Sequence, residues 1–277
     1  IYKKKFESFK SKKKYDIVIC EAWLGIVKKE RKLIRKLGKF VKKDGMLIIT
    51  ASSSISFLSN ILRRFIGGCV TQNISSFEKK TNFLINFYKH HLKTMKNMSC
   101  PYKDWVQDCL IGDGFLNIHP NPSEIFHDAG KEFNFFNSYP NFYSDWRWYK
   151  DLIGKKFDTK KNFLEQFNKN AHNFIDYKIL FPEIKIQQNI ILSKKTRELL
   201  KILISCEKKL DNEKYTKFNK KFTEIYNILI RNNIKIKGLK EIKNILKKKE
   251  FYKTQNLKNF KFNFGRELFY ISLIKNL

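Results

Sequence analysis

No G-x-G-x-G turn follows a strand-like run anywhere in the 277 residues. The numbered chain therefore does not spell the loop that carries backbone N–H groups to a dinucleotide cofactor. Gly112, Gly114 and the pair Gly67-Gly68 follow no suitable strand. Arginine is scarce as well: of 57 basic residues only Arg31, Arg35, Arg63, Arg64, Arg147, Arg197, Arg231 and Arg266 are arginines. Planar readers of phosphates and base edges favour arginine's bidentate fork. The lysine excess, set among many Asn, Ile and Phe, thus reads as the codon bias of an A/T-rich genome before it reads as a selected polyanion site. A net charge of +31 predicts nonspecific nucleic-acid binding at low salt on either reading.

Cysteine is sparse and odd in number. Cys20, Cys69, Cys100, Cys109 and Cys206 form no C-x-x-C pair, which argues against a disulfide framework or a zinc site and fits a reducing, cytoplasmic compartment. Long apolar runs are missing too. Gly45 to Leu62 is uncharged, but five serines and Asn60 interrupt it, so it reads as a buried strand, a loop and an amphipathic helix rather than a membrane span. No signal-peptide pattern opens the chain, which begins at Ile1 rather than Met; the expectation is a fragment or a processed product.

The strongest positive signal runs from Lys13 to Thr50. Ile17, Val18 and Ile19 form one short apolar run, and Met46 to Ile49 form another behind the Asp44-Gly45 turn, the pattern of strands covered on both faces. Between them Val27, Leu33, Ile34, Leu37 and Val41 recur at helical spacing. Together these make one βαβ unit. A helix is expected next, with Ser56 as N-cap and Gly67-Gly68 as its stop, and then a second helix over 77–98 carrying Phe83, Leu84, Phe87, Tyr88, Leu92 and Met95.

The α/β pattern returns at Asp113. Pro122 and Ser123 open a helix that Gly130 closes, and the following KEFNFFN alternates as a strand. Residues 158–258 are rich in Lys and Asn. Their apolar stripes, one around Leu199 to Cys206, one from Phe218 to Leu229 and one from Leu239 to Leu246, mark packing faces of helices, two of which suit a hairpin. The terminal FGRELFYISLIKNL sets Leu268, Tyr270, Ser272 and Ile274 against Phe269, Ile271 and Leu273, a strand.

Tyr15, Asp16, Val18, Glu21 and Leu24, followed one helix later by Lys43, Gly45, Leu47 and Ile49, resemble the fourth strand, its helix and the fifth strand of class I S-adenosylmethionine-dependent methyltransferases. Pro122 to Asn137 is similar to the helix and turn that enter that family's sixth strand, and the terminal strand to its antiparallel last one. The resemblance covers about residues 1–50, 113–150 and 264–276. It implies an α/β fold: a partial Rossmann-like methyltransferase sheet, mostly parallel with an antiparallel last strand, elaborated by helical insertions. The core would span 1–150 with a helical insertion at about 51–112, a Lys/Asn-rich helical insertion would follow over 151–260, and 261–277 would return to the sheet. The first insertion would build a substrate lid or pack over the sheet. The chain departs from the family near Lys5, where an acidic residue often meets the cofactor's adenine.

The implied cofactor is S-adenosylmethionine, with Cys20, Glu21 and Trp23 beside it at the end of the first strand; Glu21 has helix capping as its alternative role. Candidate bases for an O–H or N–H acceptor are His119, otherwise an exposed or capping histidine, and Asp145, otherwise a partner of Arg147 that fastens the aromatic block. His90-His91 and His127-Asp128 lack companions at metal-ligand spacing, so no metal is assigned. The implied activity is methyl transfer to an oxygen or nitrogen of a small molecule or glycan. The rival is a non-enzymatic basic binding protein with a degenerate methyltransferase fold, held in an RNA–protein or other assembly.

Overall fold

The computed structural model describes residues 6–22, 28–113, 120–141, 150, 158–208 and 210–276. Lys5, Trp23, Leu24, Val27, His119 and Asp145 lie outside the described residues. The elements run β1 (Tyr15–Cys20), α1 (Lys28–Lys39), β2 (Val41–Ala51), α2 (Leu58–Val70), α3 (Phe77–Phe87), α4 (Lys89–Leu92), α5 (Tyr102–Val106), α6 (Pro122–Ala129), β3 (Phe133–Tyr139), α7 (Thr159–Asn170), α8 (Ile186–Lys208), α9 (Asn212–Arg231), α10 (Lys237–Lys248) and β4 (Phe269–Lys275). The chain divides into two units. One comprises Ile1–Ser53, Asn117–Asn170 and Leu268–Leu277; the other comprises Ser54–Leu116 and Ala171–Glu267.

The first unit is α/β. Its four strands lie in the order β1-β2-β4-β3, with β1 and β2 parallel and β4 antiparallel to both β2 and β3. β1, β2 and β3 therefore share one direction. One face of the sheet is packed. Leu47 and Ile49 of β2, Ile271 and Leu273 of β4 and Phe133 of β3 are completely buried, each contributing about 2 kcal/mol of apolar transfer. Phe163 of α7 stacks on Phe135 with ring centroids 4.1 Å apart, and Phe126 of α6 meets both rings edge-on. Helix α1 comes close because residue 38 is glycine: a Cβ there would sit 2.8 Å from the Phe133 ring. Asn121 and Glu124 close a reciprocal capping box on α6, and Gly130 ends that helix with φ +92°, which a Cβ would strain.

The opposite face corrects one expectation. Ile17 and Ile19 are 57% and 61% exposed, so β1 is not covered on both faces. Its only sheet neighbour among the described residues is β2, and the helices that pack on this sheet lie over the Leu47 face. The apolar run is thus that of a parallel strand standing at an edge.

The second unit is helical. α2 is buried on nearly every side, and its Phe65 stacks on Phe218 of α9 at 3.7 Å. Leu199, Leu200 and Leu203 of α8 and Phe222, Ile225 and Leu229 of α9 are buried, as the stripes predict. Ser56 is not the N-cap of α2: a 3₁₀ turn over Ser54–Phe57 precedes the helix, Phe57 holds the cap position without a side-chain bond, and the Ser56 hydroxyl donates to the Glu267 carbonyl at 3.3 Å. The single helix expected over 77–98 breaks at Tyr88. That residue is fully buried and its hydroxyl reaches back to the Arg63 carbonyl at 2.8 Å. Among the described residues no helix is long and apolar enough to cross a membrane.

Candidate functional site

A carboxylate, two tyrosines and a threonine of the first unit collect at the carboxyl ends of its three parallel strands. At the end of β1, Cys20 is buried and paired in register with Ile49, and Glu21 follows it exposed to solvent. Ala22 then takes φ 49°, a left-handed conformation that costs an alanine about 1–2 kcal/mol. Its backbone N–H donates to the Thr50 hydroxyl of β2 at 2.9 Å. This bond holds the turn and leaves the Glu21 carboxylate at the rim. The phenol of Tyr270 on β4 donates to that carboxylate, and this hydrogen bond, before burial and the nearby charge, raises the Tyr270 pKa.

The β-ladder explains how residues so distant in sequence meet. Tyr270 lies opposite Thr50 on one side and opposite Tyr139 of β3 on the other, so all three point to the same face. Next to them the Ser52 amide donates to the Pro120 carbonyl at 3.2 Å. The result is a rim with one exposed carboxylate and two tyrosines, over a buried threonine that holds the turn. Of the sequence-predicted residues the structure brings Glu21 to this rim, whereas Cys20 beside it is buried in register with Ile49 on the packed face. Trp23, His119 and Asp145 lie outside the described residues. Glu21 is engaged by Tyr270. Sequence reading missed Tyr270 and Thr50: alternation puts Tyr270 on one face of its strand, but nothing local says that the strand lies beside β2.

The second unit has its own polar features. A cavity of about 610 Å³ is lined by Arg64, Lys80, Asp113 and Glu207 on its polar side and by Phe65 and Leu203 among its apolar residues. Arg64 is satisfied there by the Glu207 carboxylate and by the carbonyls of Ile111 at 3.0 Å and Gly112 at 2.6 Å. Burial pushes the Cys69 thiol on the cavity wall up to about 12, so it stays protonated and a poor nucleophile. Nearby in sequence, Arg63 is wholly buried with its guanidinium 4.5 Å and 3.9 Å from the rings of Phe260 and Phe264. Desolvation lowers its pKa to about 9, which still leaves it charged at neutral pH. Its Nε donates to His91 Nδ1 at 3.3 Å, and Nη2 donates to the Phe260 carbonyl at 3.0 Å. His91 is therefore a neutral core histidine whose Nε2–H donates to the Thr254 carbonyl at 2.9 Å. Burial brings its pKa down to about 3. Among the described residues no group of three His, Cys, Asp or Glu side chains is arranged to hold a metal.

Comparison with known proteins yields no match: no protein-family model, no curated protein and no solved structure is similar to the chain.

Proposed function

We propose that the chain is part of a class I S-adenosylmethionine-dependent methyltransferase that moves a methyl group to an oxygen or nitrogen of a small molecule or glycan. The observation that carries this reading is the sheet. The strands that resemble the family's fourth, fifth and sixth run parallel to one another, and the chain's last strand lies antiparallel among them. The site of such a sheet lies at the carboxyl ends of its parallel strands, where Glu21 stands.

S-adenosylmethionine is cationic at its sulfur and at its amino group. Glu21 is an anion held at the rim by Tyr270, so charge and position fit that end of the cofactor. When bound, the cofactor supplies a methyl group on positively charged sulfur for in-line displacement, a reaction that needs alignment more than covalent help. In this reading Tyr270 orients Glu21, Thr50 fixes the turn behind it, and Tyr139 walls the rim. His119 and Asp145, outside the described residues, are the candidate bases. The rival basic binding protein draws on the +31 charge and on Lys5.

Titration of labelled S-adenosylmethionine against the full-length gene product separates the two. Saturable binding that Glu21→Ala weakens at least about tenfold, a loss of about 1.4 kcal/mol, with thermal stability nearly unchanged, is the expected result. Absence of binding together with tight, salt-resistant RNA binding favours the rival.

A further inference from the structure

A second surface, in the helical unit, has chemistry that the methyl-transfer reading does not use. The turn Tyr177–Leu180 and the short 3₁₀ segment Phe260–Phe262 lie side by side: the Tyr177 amide donates to the Phe264 carbonyl at 3.2 Å, and the Lys178 ammonium donates to the Phe262 carbonyl. Together they expose Tyr177 (53%), Ile179 (46%), Leu180 (84%) and Phe262 (47%). Single exposed apolar residues need no explanation, but four on two adjoining segments mark an interaction surface. Lysines surround them. Lys178 Nζ lies 5.1 Å from the Tyr177 ring and 5.8 Å from the Phe262 ring, and Lys261 Nζ lies 5.0 Å from the Phe262 ring. The Thr94 hydroxyl, on the turn that carries Lys93 and Lys96, donates to the Lys261 carbonyl at 2.9 Å.

The charge is one-sided. Neither Lys79–Lys103 nor Phe251–Arg266 contains an acidic residue. Asp176, at the foot of the turn, is buried and bonded to Asn263 at 3.0 Å, and the Glu241 carboxylate is taken up by the amides of Asn259 at 3.1 Å and Phe260 at 2.9 Å, which leaves Glu183 as the carboxylate next to the turn in sequence.

We propose that this patch is a peripheral contact for an anionic lipid surface: Ile179, Leu180, Tyr177 and Phe262 enter the headgroup–acyl boundary while Lys178 and Lys261 meet lipid phosphates and carboxylates. Two observations favour lipid over nucleic acid. The most exposed members, Leu180 and Ile179, are aliphatic and give a base no ring on which to stack. The two aromatic rings already carry lysine ammonium groups over them. Lysines snorkelling around apolar and aromatic side chains are the composition of a membrane-interface contact.

The test uses the full-length protein with vesicles of phosphatidylcholine alone or mixed with phosphatidylserine. The expected result is co-sedimentation with the anionic vesicles, part of it resistant to salt because apolar insertion is not screened. Ile179→Ser combined with Leu180→Ser is expected to weaken it at least about tenfold, with unchanged circular dichroism. Tyr177→Leu combined with Phe262→Leu keeps the apolar area and is expected to keep vesicle binding. Vesicle binding unaffected by the serine pair would mean that overall charge alone is at work and would overturn the proposal. So would poly(U) binding that the leucine pair abolishes without any vesicle binding, which assigns the patch to RNA.

Discussion

At the scale of single residues the structure separates an exposed carboxylate from a buried histidine. Glu21 is exposed and held by a phenol from a strand 249 positions away, an arrangement that orients a charge without stabilising the fold. Tyr270→Phe should therefore leave the melting temperature nearly unchanged while reducing S-adenosylmethionine affinity, which calorimetric titration alongside a thermal scan would report. His91 is the opposite case. Its folded pKa is depressed from 6.5 to about 3, so the unfolded chain binds a proton more readily than the folded one. The stability this burial brings is complete above about pH 6.5 and is lost as the pH falls toward 3. By pH 5 the loss is about 2 kcal/mol. Denaturant unfolding between pH 7 and pH 5 should show this slope in the wild type, and His91→Gln should flatten it. The sequence could point to Glu21 because the strand-end wording sits on one continuous segment. It could not point to the Arg63–His91 contact, since both residues read locally as ordinary members of amphipathic helices.

At the scale of elements, the legible parts are those fixed by local chemistry. Asn121, Pro122, Glu124 and Gly130 spell a helix with both ends marked, and α6 has those ends. Asn121→Ala should cost about 1 kcal/mol in chemical denaturation. Buried contacts between distant elements were not legible. Gly238 looks like a weak point in a basic helix, yet a Cβ there would come within 2.6 Å of the Phe260 backbone and would collide with the Asn263 side chain. Gly238→Ala should accordingly destabilise the fold by about 2 kcal/mol or more despite alanine's better helix propensity; a stabilised variant would contradict that packing. The break at Tyr88 was hidden for the same reason, because an apolar periodicity continues through a residue whose hydroxyl is needed by α2. β1 illustrates a third limit. Its Ile17-Val18-Ile19 run announces a parallel strand correctly, but a run of that kind cannot say whether its outer edge is filled.

At the scale of the molecule, composition and topology point in different directions. The charge of +31 invites a nucleic-acid account, whereas the lysine excess reads as compositional and the order β1-β2-β4-β3 with its antiparallel last strand suits an enzyme sheet. The four strands come from three separated stretches of chain. Their identities were legible because each carries its own alternation or apolar run, while their adjacency was not, since pairing depends on register across the whole stretch from Ala51 to Phe269. The central claim is that the carboxyl rim of this sheet receives S-adenosylmethionine at Glu21. Photo-crosslinking of labelled cofactor to the full-length protein, followed by peptide mapping, tests it most directly. The account predicts label on the peptide containing Cys20, Glu21 and Ala22, reduced by Glu21→Ala. Label confined to peptides of the helical unit, or no label under conditions that saturate a known methyltransferase, would contradict it.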